Sequence, residues 1–324
     1  MALVDIKIIG CGGGGVNAIN NMVDLGISGV DFVALNTDAQ ALITSPANIK
    51  LDIGRNVTKG LGAGSDPELG RAAAEENFED IKDIVFGTDM VFVTAGMGGG
   101  TGTGSAPIVA KAAKEVGALT IGIVTTPFAF EGKQRMTKAL AGIEKLKEQV
   151  DTIIVIPNDN LLKMLDPNIS MKDAFQEVDL VLLKGIAAIT DLITTPGIIN
   201  VDFADVKKII KDAGTAFMGI GVAEGTDRAA EAAEQATTSP ILTTTLRGAK
   251  GVLLSIASSS NISMGEVNYI ASAISEDADE DANIIFGTVL DESLEDEIRV
   301  TVIATGFDHE WYPMDIWNNN NISR

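Results

Sequence analysis

Short apolar runs alternate with longer mixed segments through the first half of the chain, which is the pattern of a buried parallel sheet connected by helices. The predicted strands are residues 6–9, 32–35, 90–94, 119–125 and 152–156. Helical segments fit between them, including residues 16–25 and an Ala/Glu-rich stretch that ends near residue 83. The first half is therefore predicted to be an α/β layer, doubly wound, with a mostly parallel sheet.

A long amphipathic helix follows, and after it the pattern changes. Apolar residues recur at helical spacing over residues 174–192: Phe175, Val178, Leu182, Ile186 and Ile189. Beyond a polar loop, strands are predicted at residues 216–222, 251–255, 284–289 and 297–305, and helices at 227–237 and 264–277. These elements predict a smaller α+β second domain with a four-stranded sheet.

Glycine is concentrated in three segments, residues 10–15, 60–65 and 96–105, which lie where predicted strands end or helices begin. The third segment precedes a helix for which Ser105 is the predicted N-cap and Pro107 a first-turn residue. Free N–H groups and the helix dipole favour an anion there, and glycine lets the backbone approach it closely. Thr101 and Thr103 add hydroxyl donors. The pattern predicts a phosphate site, because a flexible linker seldom falls between a buried strand and a capped helix.

Composition excludes several classes of site. The 324 residues include one cysteine, Cys11, and one histidine, His309, so an internal disulfide, a thiolate metal cluster and a Ser-His-Asp centre are not expected. The net charge of −21 argues against nucleic acid as a partner. No apolar run has the length of a membrane span and no signal peptide is evident, so no membrane insertion and a cytoplasmic location are expected. Gly132-Lys133 is followed by Gln134, which disfavours a P-loop.

Two pairs of residues leave alternatives open. Phe175 and Asp179 are four residues apart and share a helix face, where core packing and a solvated charge are the simplest interpretations. Asp202 and Asp205 lie in the polar loop after the long helix. They could orient a water molecule, or they could cap a helix predicted to begin near Val206.

Three motifs together resemble one family: the glycine-rich loop after the first strand, the run G-G-G-T-G-T-G at residues 98–104, and N-V-D-F-A-D at residues 200–205. The family is FtsZ, the bacterial cell-division relatives of tubulin, and the resemblance covers residues 3–308. It implies a GTP-binding domain at 1–173, a central helix and catalytic loop at 174–206, and an activation domain at 207–308. It also implies GTP hydrolysis with Mg²⁺, head-to-tail protofilaments, a role in the cell-division ring, and membrane-tethering and division-regulating partners.

The resemblance assigns roles to individual residues. Near the phosphates it places Gly13, Gly14, Gly15, Val16 and Asn17, with Gly100, Thr101 and Gly102 wrapped around them. It implies that Ala63, Gly64 and Ser65 contact the γ-phosphate, and that Glu131 binds the ribose with Arg135 beside it. It gives the guanine base to Asn158, Asp179 and, by stacking, Phe175. Hydrolysis falls to Asn200, Asp202 and Asp205, acting on the nucleotide of the next subunit, and no residue is assigned as a metal ligand.

Two rival functions use some of the same residues. A dinucleotide-binding oxidoreductase would use the G-x-G-x-x-G spacing of residues 10–15, with Asp38 as a loose match to the ribose-binding acid. That hypothesis leaves the other glycine segments and the Asp202/Asp205 loop unexplained. A non-catalytic filament that holds GTP as a structural ligand is the second rival. Residues 309–324 are predicted to be a disordered tail, and they do not resemble the linker and terminal peptide usual in the family.

Overall fold

The computed structural model describes residues 4–239 and 246–307, so the predicted tail at 309–324 lies outside the described residues. The chain forms two compact units. The first extends to Ile186 and the second begins at Ala187, and the division falls within one long helix, α9 (Met171–Thr194). Among the described helices, none is long and apolar enough to cross a lipid bilayer.

The sheet of the first unit is parallel throughout. Its strands are β1 (Ile6–Cys11), β2 (Asp31–Asn36), β3 (Ile49–Asp52), β4 (Met90–Gly96), β5 (Leu119–Thr126) and β6 (Thr152–Pro157). They lie in the order β3-β2-β1-β4-β5-β6. This is the strand order of doubly wound nucleotide-binding folds, in which the direction of winding reverses between the first and fourth strands. The predicted α/β fold is confirmed.

Helices connect these strands and cover the sheet, which is why its central strands are almost wholly apolar. The connecting helices are α1 (Gly12–Asp24), α2 (Ala39–Ile43), α3 (Arg55–Thr58), α4 (Pro67–Glu76), α5 (Phe78–Val85), α6 (Thr101–Glu115), α7 (Lys133–Lys147) and α8 (Asn158–Leu162). A short 3₁₀ helix, Ala129–Glu131, precedes α7. Phe92 in β4 and Phe128 in the loop after β5 are among the largest fully buried side chains.

Two parts of the first unit differ from the sequence-based expectation. Strand β3 was not predicted, because its sequence I-K-L-D is half polar and only partly buried. The single helix expected to end near residue 83 is two helices, α4 and α5, which meet at Asn77. The Asn77 side chain accepts a hydrogen bond of 2.9 Å from the backbone N–H of Gly54, which anchors this junction.

Two helices begin within the glycine segments rather than after them. Helix α1 begins at Gly12, and α6 begins at Thr101 with Gly100 as its N-cap. The predicted roles of Ser105 and Pro107 were therefore wrong: Ser105 is fully buried within α6, and Pro107 lies past its first turn. Glycine disfavours a helix by about 1 kcal/mol relative to alanine, so packing against neighbouring backbone overrides local propensity here.

The second unit has the predicted four-stranded sheet. Its strands are β7 (Gly214–Ala223), β8 (Gly251–Ser258), β9 (Asn283–Leu290) and β10 (Ile298–Thr305), in the order β7-β10-β8-β9. Only β8 and β9 are parallel to each other. Its helices after α9 are α10 (Phe203–Ile210), α11 (Arg228–Thr238) and α12 (Met264–Asp277), with a 3₁₀ turn at Glu292–Leu294. Helices α11 and α12 share an apolar core with the sheet, which includes Ala232, Leu254, Ile270 and Val302.

A buried arginine ties the second unit together. Arg228, at the start of α11, is 5% exposed. Its guanidinium forms an ion pair with Glu266 in α12 at 2.6 Å and one with Asp296, just before β10, at 2.9 Å. It also donates to the side-chain oxygen of Asn261 at 3.0 Å. The nearby guanidinium lowers the pKa of Glu266 to about 2.

We expect Arg228→Met to lower the free energy of unfolding by roughly 3 kcal/mol at neutral pH, because it leaves Glu266 without its buried partner. The pKa of Glu266 is lowered by folding, so the ion pair stabilises the protein above about pH 4.5 and this stabilisation is lost as the pH falls towards 2. Denaturant unfolding of both proteins across this range measures the difference. Arg247→Met, at an exposed arginine, is the control; an equal loss in both variants would contradict the prediction.

Candidate functional site

The strand order places two glycine segments side by side. Strands β1 and β4 are neighbours, paired in parallel from Ile6 with Met90 to Cys11 with Ala95. Each strand passes directly into a glycine segment and then a helix, α1 after β1 and α6 after β4. Ligands of doubly wound folds bind in the crevice at this reversal point, outside the carboxyl ends of the strands.

The two helix starts touch through backbone that only glycine allows. Gly12 has a φ of +68°, and a Cβ built on it would lie 2.5 Å from the backbone nitrogen of Gly102. A Cβ on Gly14 would lie 3.2 Å from the Cα of Gly96. The first N–H groups of a helix have no partner within the helix. Two sets of such groups are therefore held next to each other, which suits an anion with several oxygens.

The glycine segment at residues 60–65 joins the same cluster. A Cβ on Gly100 would lie 2.8 Å from the backbone nitrogen of Asp66 and 2.9 Å from the Cβ of Ala63. The hydroxyl groups of Thr37 and Thr101 are 2.6 Å apart and share a hydrogen bond. Ala63 is buried, whereas Gly64 and Ser65 are exposed. The three segments that contain Gly13–Gly15, Ala63–Ser65 and Gly100–Gly102 thus lie together at one end of the sheet.

A cleft of about 110 Å³ lies beside these loops. It is lined by Gly14, Gly96, Met97, Thr125, Thr126, Pro127, Glu131, Arg135, Asn158, Phe175, Val178, Asp179 and Leu182. Six of the residues named from the sequence therefore line one cavity: Gly14, Glu131, Arg135, Asn158, Phe175 and Asp179. Val16 differs from them, since its side chain is 1% exposed and packs in the core. Asn17 lies on the exposed side of α1.

Asp179 is a partly buried carboxyl group and not the fully solvated charge of the simplest interpretation. Burial raises its pKa to about 7, an effect that a hydrogen bond from Asn21 partly offsets. The Asn21 amide donates this bond to the Asp179 carboxylate at 2.8 Å. Ionising Asp179 in this partly desolvated cleft costs free energy, and such perturbed groups are typical of ligand-binding sites.

Phe175 and Asn158 complete this wall of the cleft. Phe175 is 40% exposed, so it is not a core residue, and its ring meets the edge of the buried Phe128 at a centroid distance of 5.1 Å. An exposed ring face held by a second aromatic ring can stack on a planar ligand. Asn158 is 4% exposed, and its Oδ1 is buried without a hydrogen-bond partner in the described part of the chain. Such an atom is costly unless a ligand or water supplies a donor.

Glu131 and Arg135 also line the cleft, and they form an ion pair of 2.9 Å. Glu131 also accepts a hydrogen bond of 2.9 Å from the backbone N–H of Phe128. One carboxylate oxygen is thus engaged by the backbone and the other by a guanidinium, which fixes the side chain. This rigid carboxylate is well suited to accept hydrogen bonds from hydroxyl groups of a ligand.

The loop that carries Asn200, Asp202 and Asp205, here called the acid loop, belongs to the second unit. Asn200 accepts a hydrogen bond of 2.8 Å from the backbone N–H of Gly197 and thereby holds the turn. Asp202 occupies the N-cap position of α10, yet its side chain makes no capping bond. Asp205 lies in the first turn of α10 and forms an ion pair with Lys208 at 2.8 Å. The helix-capping interpretation therefore does not account for the Asp202 carboxylate.

Two features bear on the dinucleotide hypothesis and on metal binding. The Asp38 carboxylate accepts a hydrogen bond of 2.9 Å from the N–H of Gln40 and caps α2, so it already has a structural role. In the described ranges, His, Cys, Asp and Glu side chains form no group of three that could hold a metal ion.

Sequence reasoning missed two residues of the site. Asn21 fixes Asp179, and Thr37 fixes Thr101. Asn21 could have been found, because it lies four residues after Asn17 and so on the same face of α1. No local signal marks Thr37, which follows an ordinary buried strand and meets Thr101 only through the sheet topology.

Two family models match the chain. The model of the tubulin/FtsZ family GTPase domain matches residues 5–166, and that of the FtsZ family C-terminal domain matches residues 214–308. Among solved structures, the chain is similar to FtsZ of M. jannaschii in an empty dimer, with 44% identity and a TM-score of 0.90, covering 94% of this chain and 88% of that one.

More distant structures share the fold. CetZ2 of Haloferax volcanii, in a protofilament bound to GTPγS, is 21% identical with a TM-score of 0.81, covering 99% of this chain and 98% of that one. CetZ1 of the same organism, a GDP-bound monomer, is 20% identical with a TM-score of 0.83, covering 99% of both chains.

We expect Asp179→Asn to stabilise the ligand-free protein at pH 8 but not at pH 4. The pKa of Asp179 is raised by folding to about 7, so the carboxyl group favours the folded state below about pH 4 and loses that effect as the pH rises to 7. The amide does not ionise, so the variant should gain on the order of a few kcal/mol at pH 8 relative to the unmodified protein. Denaturant unfolding at both pH values measures this, with Glu177→Gln on the same helix as the control. A difference that is independent of pH would contradict the assignment.

Proposed function

We propose that this chain, which belongs to the tubulin/FtsZ family of GTPases, assembles head to tail into protofilaments in which each subunit completes the GTPase site of its neighbour. The chain is a GTPase with two FtsZ-family domains. The observation that carries the proposal is that the cleft residues and the Asp202/Asp205 loop belong to different units of the chain. The nucleotide cleft is built within the first unit, whereas Asn200, Asp202 and Asp205 lie in a loop of the second.

In this proposal the guanine base occupies the cleft beside α9. Guanine presents an N1–H and an exocyclic amine on one edge, and a carboxylate can accept from both, whereas adenine has no such pair of donors. Asp179 supplies that carboxylate and Asn21 holds it in place. The unpartnered Oδ1 of Asn158 can accept a further hydrogen bond, and the exposed face of Phe175 can stack on the base.

The rest of the nucleotide follows from the same geometry. The fixed carboxylate of Glu131, with Arg135 beside it, takes the ribose hydroxyl groups. The N–H groups at the starts of α1 and α6, around Gly13–Asn17 and Gly100–Gly102, take the phosphates. The loop Ala63–Ser65 meets the terminal phosphate, since it touches Gly100 and lies at the outer edge of the cluster.

We propose Mg²⁺ as the accompanying ion. Mg²⁺ commonly binds through substrate phosphates and water with few protein ligands. The described residues provide no acid cluster for it, so the phosphate oxygens would have to supply its ligands and no step here is assigned to it.

The Asp202 carboxylate is available to a neighbouring subunit. Asp202 is exposed, and its carboxylate makes no hydrogen bond or ion pair with other described residues. Asp179 lies near the start of α9 and the acids follow its far end; at about 1.5 Å per residue, the helix advances roughly 20 Å between Asp179 and Thr194. Two carboxylates that reach the phosphates of the next subunit would orient the attacking water, and positioning supplies much of the rate in phosphoryl transfer.

Self-association is the expected consequence. A contact that joins the cleft of one subunit to the loop of the next is heterologous and propagates into a filament. The M. jannaschii relative is recorded as a dimer and CetZ2 as a protofilament. A cytoplasmic filament in the cell-division ring, with proteins that tether it to the membrane and regulate division as partners, is the cellular role we propose.

Base choice tests the cleft. The unmodified protein should bind GTP in preference to ATP, and Asp179→Ala should lose most of this preference, because a bidentate contact to a base is worth about 1–3 kcal/mol. Calorimetric titration with both nucleotides measures it, and Glu177→Ala is a control on the same helix. Equal affinities of the unmodified protein for GTP and ATP would contradict the proposed base site.

Mixing two inactive variants tests the shared site. Asp202→Ala should bind GTP and assemble but hydrolyse poorly, whereas Asp179→Ala should bind GTP weakly with an intact acid loop. Their mixture should hydrolyse more GTP than the sum of the two, because some junctions pair a loaded cleft with a working loop. Phosphate release measures turnover, and sedimentation measures assembly. In the control mixture, Asp202→Ala is replaced by Glu276→Ala, which alters an exposed acid of the second unit. If both variants fold and co-sediment and the mixture shows no gain, the shared site is wrong.

A further inference from the structure

A lysine of α7 is bonded to the loop that we assign to the terminal phosphate. The Lys138 ammonium donates a hydrogen bond of 2.6 Å to the backbone carbonyl oxygen of Ser65. The two residues are 73 positions apart in sequence, so the bond is a tertiary contact between α7 and the loop Ala63–Ser65. No motif in the sequence singles out Lys138.

The loop adopts a conformation that needs support. Ser65 has a φ of +61°, in the left-handed region that a residue with a Cβ seldom adopts. Its backbone is held on one side by the hydrogen bond of 2.9 Å from the N–H of Asp66 to the carbonyl oxygen of Ala63. The Lys138 ammonium binds the carbonyl oxygen of Ser65 itself, and a hydrogen bond from a charged donor is stronger than one from a neutral donor.

The neighbouring cations are arranged differently from Lys138. Lys145, two turns further along α7, forms an ion pair with Glu68 at 3.0 Å, and Arg71 on α4 pairs with Glu68 and Glu75. In the described parts of the chain Lys138 has no carboxylate partner, and its hydrogen bond is to the loop backbone. Its positive charge is therefore not neutralised by a paired acid, and it lies at the loop.

We propose that Lys138 is a positioning residue that holds Ala63–Ser65 in the conformation that meets the terminal phosphate, and so sets the preference for GTP over GDP. The inference rests on the proposed function in one respect, that this loop contacts the γ-phosphate. GDP lacks that phosphate, so its affinity does not depend on the loop conformation. Lys138 itself is not assigned a contact with the nucleotide.

The test compares Lys138→Met, Lys138→Arg and the matched control Lys145→Met, which removes an equal charge from the same helix without touching the loop. Calorimetry with a non-hydrolysable GTP analogue and with GDP measures the two affinities. Lys138→Met should lower the affinity for the analogue by roughly five- to tenfold, as expected for an exposed charged hydrogen bond, and leave the affinity for GDP unchanged. Lys138→Arg should restore most of the loss, and Lys145→Met should change neither affinity.

Amide hydrogen exchange of the nucleotide-free protein provides a readout that does not need GTP binding. Lys138→Met should speed exchange of the Asp66 amide, which is bonded to Ala63, and Lys145→Met should not. Unchanged exchange at Asp66 would overturn the positioning role. Faster exchange at Asp66, together with equal losses of affinity for the analogue and for GDP, would overturn the link to the terminal phosphate. If the unmodified protein fails to distinguish the analogue from GDP, the proposed role of the loop fails, and the exchange result separates that failure from an error about Lys138.

Discussion

The close approach of three backbone segments is the constraint on which the site depends. The starts of α1 and α6 and the loop before α4 meet at distances that leave no space for side chains, as the contacts at Gly12 and Gly100 show. Glycine costs helix stability at these positions. The close approach fixes the N–H groups of two helix N-termini next to each other before any ligand binds. Such preorganisation reduces the free-energy cost of binding an anion.

The base site, unlike the glycine cluster, contains polar groups that are unfavourable without a ligand. The cleft partly buries the Asp179 carboxyl group, and its hydrogen-bond partner among the described residues is the neutral Asn21 amide rather than a cation. A group selected for stability alone would be neutral at this position. The Asp179 carboxyl group and the unpartnered oxygen of Asn158 belong to two side chains that line the same cavity.

The sequence predicts the architecture well, because alternating apolar runs and glycine punctuation are strong local signals. It fails where tertiary contacts decide. The half-polar strand β3 is specified by pairing with β2 at the sheet edge. Helix α6 starts at Thr101 because neighbouring backbone packs on its glycines, although Ser105 has the better local capping chemistry. Thr37 and Lys138 act through partners 64 and 73 residues away, which no local pattern can reveal. Asn21 shares a face of α1 with Asn17, but its partner lies 158 residues away.

The most direct test of the central claim is the GTP affinity of Gly13→Ala measured by calorimetry. A Cβ at Gly13 meets no protein atom within 4 Å, and alanine favours the first turn of α1, so the fold should be kept. If the phosphates lie against this turn, the added methyl group occupies their space and should weaken GTP binding roughly tenfold or more. Gly265→Ala, in α12, is the matched control, since its Cβ would also meet little, with Ser263 Oγ at 3.8 Å. Unchanged affinity of a folded Gly13→Ala protein would contradict the account.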